Sequence, residues 1–178
     1  MKVFLKKVRL SFPHLHEANS YEGGPAKFSA SYIFPPDHPA VQELNAAIVK
    51  VAAEKWGAKA DAILKTLRTA GKTCLRDGDS KADRDEYAGM MFVSASSAKR
   101  VKLVDQDGTT PLVEADGKPY GGCYVNAFVE VWAMDNQFGK RICAGLGGVQ
   151  FHSDGEPFGA SSGNDEFEAV EDADESFV

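Results

Sequence analysis

The sequence predicts a mainly β, α+β domain: a small antiparallel barrel with a two-helix insertion and a flexible acidic C-terminal tail. Three observations lead there. Residues 123–134 alternate cleanly over a dozen positions, the period of a β-strand with two different faces. The helical pattern is confined to one block between strands, whereas a parallel α/β sheet needs a helix between each strand pair. The charge is also divided along the chain. All nine carboxylates from Asp154 onward follow Arg141, the last basic residue, so residues 1–153 hold 20 basic against 17 acidic side chains.

That division sets the expected organisation, a folded body over 1–153 and a flexible acidic segment over 154–178. The whole 178-residue chain carries a formal net charge of −6, which taken alone argues against a nucleic-acid binder. Split at residue 153 it becomes +3 and −9, a mildly basic body with an acidic tail of the kind that serves interactions. Hydrophobic residues make up 43% of the chain, enough for a core. No stretch is long and apolar enough to span a bilayer, and the basic N-terminus lacks the apolar run of a signal peptide. Three widely spaced cysteines (Cys74, Cys123, Cys143) suit a reducing cytoplasm better than a disulfide framework.

The elements follow in order. Residues 3–12 read as a strand with imperfect alternation, since Val3 and Leu5 fall out of phase with Val8 and Leu10. Residues 27–34 form a second strand, with Phe28, Ala30, Tyr32 and Phe34 on one face and Ser29, Ser31 and Ile33 on the other, ended by Pro35-Pro36. A helix begins near Pro39 with Asp37 as the expected cap, carries Val41, Leu44, Ile48 and Val51 at helical spacing, and closes at Gly57. A second helix over 58–70 is stopped by Gly71. Residues 76–86 are charged and turn-rich, so a surface loop is expected. Residues 90–96 and 99–104 read as strands, and Asp107-Gly108 as a turn. The long strand at 123–134 puts Cys123, Val125, Ala127, Val129 and Val131 on one face and Tyr124, Asn126, Phe128, Glu130 and Trp132 on the other. A final strand over 140–151 is loosened by Gly145, Gly147 and Gly148.

Enzyme chemistry finds little support. Gly145-Leu146-Gly147-Gly148 precedes no helix, so it matches neither a phosphate loop nor a dinucleotide fingerprint. Asp77, Asp79 and Asp83 suggest a metal, but Ala82 and Ala88 stand where a calcium loop needs Gly and Glu. A two-metal nuclease on these carboxylates is the alternative from another class, and an adaptor working only through its tail is a third. His14 and His16 have no third ligand nearby in sequence. No metal, cofactor or catalytic residue is assigned.

Binding chemistry finds more. Lys6, Lys7 and Arg9 lie on the first strand, Arg76 in the charged loop, and Lys99, Arg100 and Lys102 after the third strand. Lys140 and Arg141 follow Phe138 at the last hairpin. Cations that track phosphate, with aromatic faces such as Tyr124, Phe128 and Trp132 for unpaired bases, are what sequence-tolerant single-strand binding on a barrel requires. The competing reading packs those three rings beneath the helices. In the tail, Asp172, Asp174 and Glu175 precede Phe177. An aromatic there can insert into an apolar pocket on a partner, or the tail can compete with DNA for the protein's own basic surface.

Several segments together resemble a family of phage single-stranded DNA-binding proteins. They are Val8-Arg9-Leu10-Ser11-Phe12, Leu75-Arg76-Asp77-Gly78-Asp79, Tyr87-Ala88-Gly89, residues 120–127, Gly147 with Val149-Gln150, and residues 154–159. The resemblance implies an oligonucleotide-binding (OB) fold related to the T7-type binder, and non-enzymatic coating of single-stranded DNA in phage replication, recombination or repair. It places the protein in the host cytoplasm. Partners would be single-stranded DNA, phage or host replication proteins met through the acidic tail, and further copies of the chain, with no membrane. The chain ends Phe-Val, whereas the T7 type commonly ends on the aromatic.

Overall fold

A computed structural model describes residues 1–20, 23–81 and 85–158. Its strands are β1 (Lys2–Asn19), β2 (Lys27–Phe34), β3 (Leu75–Asp77), β4 (Met91–Ser97), β5 (Leu103–Val104), β6 (Tyr124–Asn136) and β7 (Gly139–Ser153). They hydrogen-bond in the order β3-β4-β2-β1-β6-β7-β5. A parallel contact between β4 and β7, at Ser96 and Gly145, closes β1-β2-β4-β7-β6 into a five-stranded barrel. Each of the five then has a neighbour on both sides, and a five-stranded Greek-key barrel is the OB architecture. Inside lie Leu5, Val8, Leu10, Tyr32, Phe34, Val93, Val125, Val129, Val131, Ile142, Leu146 and Val149, all buried.

β1 is 18 residues long because it pairs with β6 on one side and β2 on the other. Its register shifts three times to do so, twice by one residue and once, between His14 and Asn19, by three. Leu5 pairs with Ala127 and Val8 with Val125, which leaves one extra residue in β1, and the same excess recurs between Ser11 (opposite Ser31) and His14 (opposite Ser29). These are β-bulges, and at them Lys7 (φ 50°) and Phe12 (φ 48°) take the left-handed conformation. The bulge at Lys6-Lys7 returns Val8 and Leu10 to the core, which is the physical reason for the broken alternation in the sequence.

The helical block is α1 (Pro39–Trp56), a 3₁₀ turn at Gly57–Lys59 and α2 (Ala60–Thr69). The cap of α1 is His38 instead of Asp37: its Nδ1 accepts from the Ala40 N–H at 2.9 Å. Nε2 is therefore the protonated nitrogen and donates to the Lys6 carbonyl at 2.9 Å, which ties the helix start to the first bulge of β1. Leu44, Ala47, Ile48, Val51 and Ala52 of α1 and Leu64 and Leu67 of α2 are buried in the same core as the barrel. At the far end, Trp56 Nε1 donates to Asp135 at 2.9 Å.

Two expectations need correction. The segment 76–86 is more than a solvated loop. Leu75–Asp77 pairs with β4, 3₁₀ turns follow at Gly78–Lys81 and Asp85–Tyr87, and Tyr87 is wholly buried. The Tyr87 ring meets Phe92 edge-on at 5.0 Å and its hydroxyl donates to Ser11 Oγ at 3.0 Å, so this segment covers part of the outer face of β2 and β4. A Cβ on Gly78 would lie 2.0 Å from the Tyr87 carbonyl oxygen, a contact only glycine permits. Secondly, the strand expected at 99–104 contracts to Leu103–Val104.

Three of the motif segments meet at one corner. Leu10 N–H donates to the Cys123 carbonyl and Gly122 N–H to the Leu10 carbonyl, at 2.9 and 2.8 Å. Arg9 donates from Nε to the Gly122 carbonyl (2.9 Å) and from its terminal nitrogen to the Glu156 carbonyl (2.8 Å), with its guanidinium 4.4 Å from the Phe158 ring centre. Phe158 N–H donates to the Gly121 carbonyl at 3.1 Å. Gly122 has φ 109°, and a Cβ there would sit 2.2 Å from the Glu156 carbonyl oxygen. Gly122→Ala should therefore cost about 2–4 kcal/mol through combined overpacking and backbone strain. Urea denaturation checks this, with Gly139→Ala as a control where nothing lies within 4 Å. Equal stability of both variants would contradict the corner's role.

Candidate nucleic-acid interface

The largest groove described, about 690 Å³, crosses the outer face of β2 and β4. Its floor is Ser29 and Ser31 from β2 with Ser94 and Ser96 from β4, and the Ser31 and Ser94 hydroxyls lie 3.0 Å apart. Phe12 and His14 of β1, Gly24 and Pro25 of the β1–β2 connection and Lys27 of β2 also line it. Phe12 is 41% exposed and is turned out by the second bulge of β1. Hydroxyls that donate or accept, an exposed ring and a nearby cation form a surface that can hold phosphates and stack a base.

The β6–β7 hairpin extends this surface. Trp132 pairs with Cys143 and Met134 with Arg141 across it. Burial raises the Cys143 thiol, while the charges of Arg141 and Lys27 pull it down. Phe138, 84% exposed, sits at the hairpin tip, where its N–H donates to Asn136 Oδ1. Lys140 lies 3.9 Å from Asp135, an exposed pair that contributes little to stability.

The expected site residues do not form one cluster. Trp132, Phe138, Lys140 and Arg141 sit on the hairpin. Lys6, Lys7, Arg9, Tyr124 and Phe128 lie on the outer face of β1 and β6. There the Phe4 and Phe128 rings meet at 4.7 Å, and the Lys2 and Lys7 ammonium groups stand 5.1 and 5.7 Å from the Phe128 and Tyr124 ring centres. Arg9 is committed to the corner described above. Lys99, Arg100 and Lys102 follow β4. Arg100 donates to the His16 carbonyl at 2.7 Å and lies 5.0 Å from the Phe28 ring centre. Arg76 stands 4.9 Å from the buried Phe92 ring.

The reading that buries Tyr124, Phe128 and Trp132 beneath the helices is overturned. Phe128 is 39% and Trp132 44% exposed, and the small-residue face of β6 fills the core. Helix α1 brings its own apolar stripe to that interior, so the aromatic face needs no cover. The carboxylates of Asp77 and Asp79 are engaged by loop amides, those of Asp79 and Gly89 respectively. Asp83 lies outside the described residues, and among those described no three His, Cys, Asp or Glu side chains converge as metal ligands. Asp172, Asp174, Glu175 and Phe177 also lie outside them. The groove residues Phe12, His14, Lys27 and the four serines were missed. The available signal was the Ser-x-Ser alternation in both strands, which marks a small, polar outer face.

A five-stranded OB barrel bearing cations and exposed rings belongs to the nucleic-acid-binding class, and such barrels bind oligonucleotides over their second and third strands, here β2 and β4. The family model for the Enterobacter phage Enc34 ssDNA-binding protein matches residues 1–178, and the chain belongs to that family. Putative protein p50 of Acyrthosiphon pisum secondary endosymbiont phage 1 is 41% identical over 181 residues, covering 98% of this chain and 97% of p50. The structure of the single-stranded DNA-binding protein from bacteriophage Enc34 in complex with ssDNA matches with TM-score 0.75 and 26% identity, covering 89% of both chains. Bacteriophage T7 gp2.5, a single-stranded DNA binding protein, matches with TM-score 0.62 and 12% identity over 93% of both chains, a likeness of fold.

The cysteines give a check on exposure. Burial pushes the Cys74 thiol up to about 12 and Cys123 to about 11, so near pH 8 both stay protonated and shielded. Cys143 is only half-buried. Brief iodoacetamide labelling at pH 8, read by mass spectrometry, should modify Cys143 first. Faster labelling of Cys74 or Cys123 would contradict the packing described.

Proposed function

We propose that this chain is a non-enzymatic, sequence-tolerant single-stranded DNA-binding protein of phage DNA replication, recombination or repair, acting in the host cytoplasm. The observation that carries the reading is the serine-floored groove on β2 and β4. A strand lying there places phosphates on Lys27, Arg141 and the serine hydroxyls, and bases on Phe12 and Trp132. Phe138 and Lys140 extend the contact at the hairpin tip. Lys99 and Arg100 continue the basic track beyond Ser96. Base–aromatic stacking contributes about 1–3 kcal/mol per base without a base-edge code, which suits coating of any sequence. Family membership and the Enc34 complex with ssDNA support this reading.

The acidic residues beyond Phe158 act on the same equilibrium. Seven carboxylates between Asp165 and Glu175 compete with phosphate for the basic surface, and Phe177 offers an anchor to a protein partner. Among the described residues no helix is long and apolar enough to cross a membrane.

Fluorescence titration with poly-dT tests both parts. Binding at low salt should quench Trp132, and a Trp132→Phe variant should lose most of the quench. Log affinity should fall with log salt by about 0.7 per phosphate neutralised. The chain ending at Gly159 should bind more tightly than the full chain. No binding at low salt would overturn the function, magnesium-dependent loss of the DNA would favour a nuclease, and unchanged or weaker binding by the shortened chain would overturn tail competition.

A further inference from the structure

A second cavity, about 220 Å³, lies on the other side of β1 from the serine groove. Its walls include Phe4, Phe128, Val149, Asn126, Gln150 and Lys102. This volume is below that of pockets that hold drug-sized ligands, so it suits one small planar group. Gly147 allows the arrangement, since a Cβ there would approach the Phe128 Cβ to 2.9 Å.

The polar groups in this cavity point one way chemically. Asn126 Oδ1 accepts from the Lys7 N–H at 2.8 Å, and Asn126 Nδ2 donates to Gln150 Oε1 at 3.0 Å. Gln150 Nε2 donates to the Gln106 carbonyl at 3.1 Å. Each amide nitrogen carries a second N–H beyond these bonds, so the cavity offers donors. The Phe128 ring face is covered by the Lys2 ammonium at 5.1 Å, a contact worth little at an exposed site and open to replacement. Lys102 stands at the rim, and no acidic side chain lines the cavity.

We propose that this cavity is a second nucleic-acid contact that takes a single unstacked nucleotide of the same strand. The base stacks on Phe128, its carbonyl edge accepts from Asn126 and Gln150, and its phosphate pairs with Lys102 and the displaced Lys2. Residues 98–102 lead from the groove at Ser96 to the cavity at Lys102, and Lys99 and Arg100 make that connection basic. The strand thus passes partly around the barrel. The inference rests on the single-strand reading of the groove.

The test compares dT6, long enough for the groove alone, with dT25, using the full chain with Phe128→Ala or Lys102→Glu. Both variants should weaken dT25 binding by about tenfold and leave dT6 within twofold. Lys102 is exposed, and the bond it makes to Val149 N–H uses its backbone carbonyl, so Lys102→Glu keeps the test valid if Phe128→Ala unfolds. Irradiation of a dT25 carrying 5-iodouracil should crosslink Phe4 or Phe128 as well as groove residues. Crosslinks confined to the groove, with equal effects of the variants on both oligonucleotides, would overturn the second contact alone. Absence of dT6 binding together with no crosslink anywhere would overturn the single-strand reading itself.

Discussion

One strand has to pair with two neighbours at different places along its length, and the structure is organised around how it does so. β1 pairs along its first half with β6 and along its second with β2. A straight strand cannot follow both around a narrow barrel, so β1 takes one extra residue at each of two bulges and bends there, with a further register shift between His14 and Asn19. The bends fall on Lys7 and Phe12, both at positive φ, a conformation that costs an L-residue about 1–2 kcal/mol. Neither position is glycine. Each bend also sends something useful outward: the Lys7 N–H to Asn126 in the small cavity, and the Phe12 ring to the serine groove.

The rest of the architecture supports those bends. His38 caps α1 and bonds the Lys6 carbonyl, so helix and bulge fix each other. Tyr87 packs near Phe12, with ring centres 6.4 Å apart, and bonds Ser11 beside it. Between the two bends, Arg9 holds the corner built from Gly122 and Glu156. These contacts bring several motif segments, scattered through the sequence, together on β1. Residues 122–125 bond or pair with β1 and Tyr87 bonds Ser11 on it, and Gly78, Gly122, Gly147 and Gly155 sit where a Cβ would collide with backbone. Under the proposed function the mildly basic body holds a strand and the acidic final segment competes with it.

Much of the barrel was legible in the sequence because its strongest signals are local. The alternation of β6 separated small inward residues from aromatic outward ones, and Pro35-Pro36 and Gly57 marked real ends. What was not legible depends on distant partners. The phase slip between Leu5 and Val8 looks like a flaw until β6 is set beside it. His38 becomes a cap because the Lys6 carbonyl is within reach. Residues 76–86 read as a plain loop because Tyr87, whose buried ring anchors the turn at Asp85–Tyr87, comes after the charged run. The same limit applied to the site. Residue type identified cations and rings, but only the closed barrel separates the hairpin and groove from the β1–β6 face. Ser29, Ser31, Ser94 and Ser96 become one surface only when β2 and β4 pair.

The central claim, that the second bend of β1 is strained in order to present an aromatic ring to DNA, is tested most directly by comparing Phe12→Ala with Phe12→Gly. Both remove the ring, and only the glycine relieves the backbone. The account predicts that the glycine variant is more stable than the alanine variant by about 1 kcal/mol in urea denaturation. It also predicts that both bind dT6 about tenfold more weakly than the native chain. Equal stability of the two variants, or native affinity in either, would contradict it.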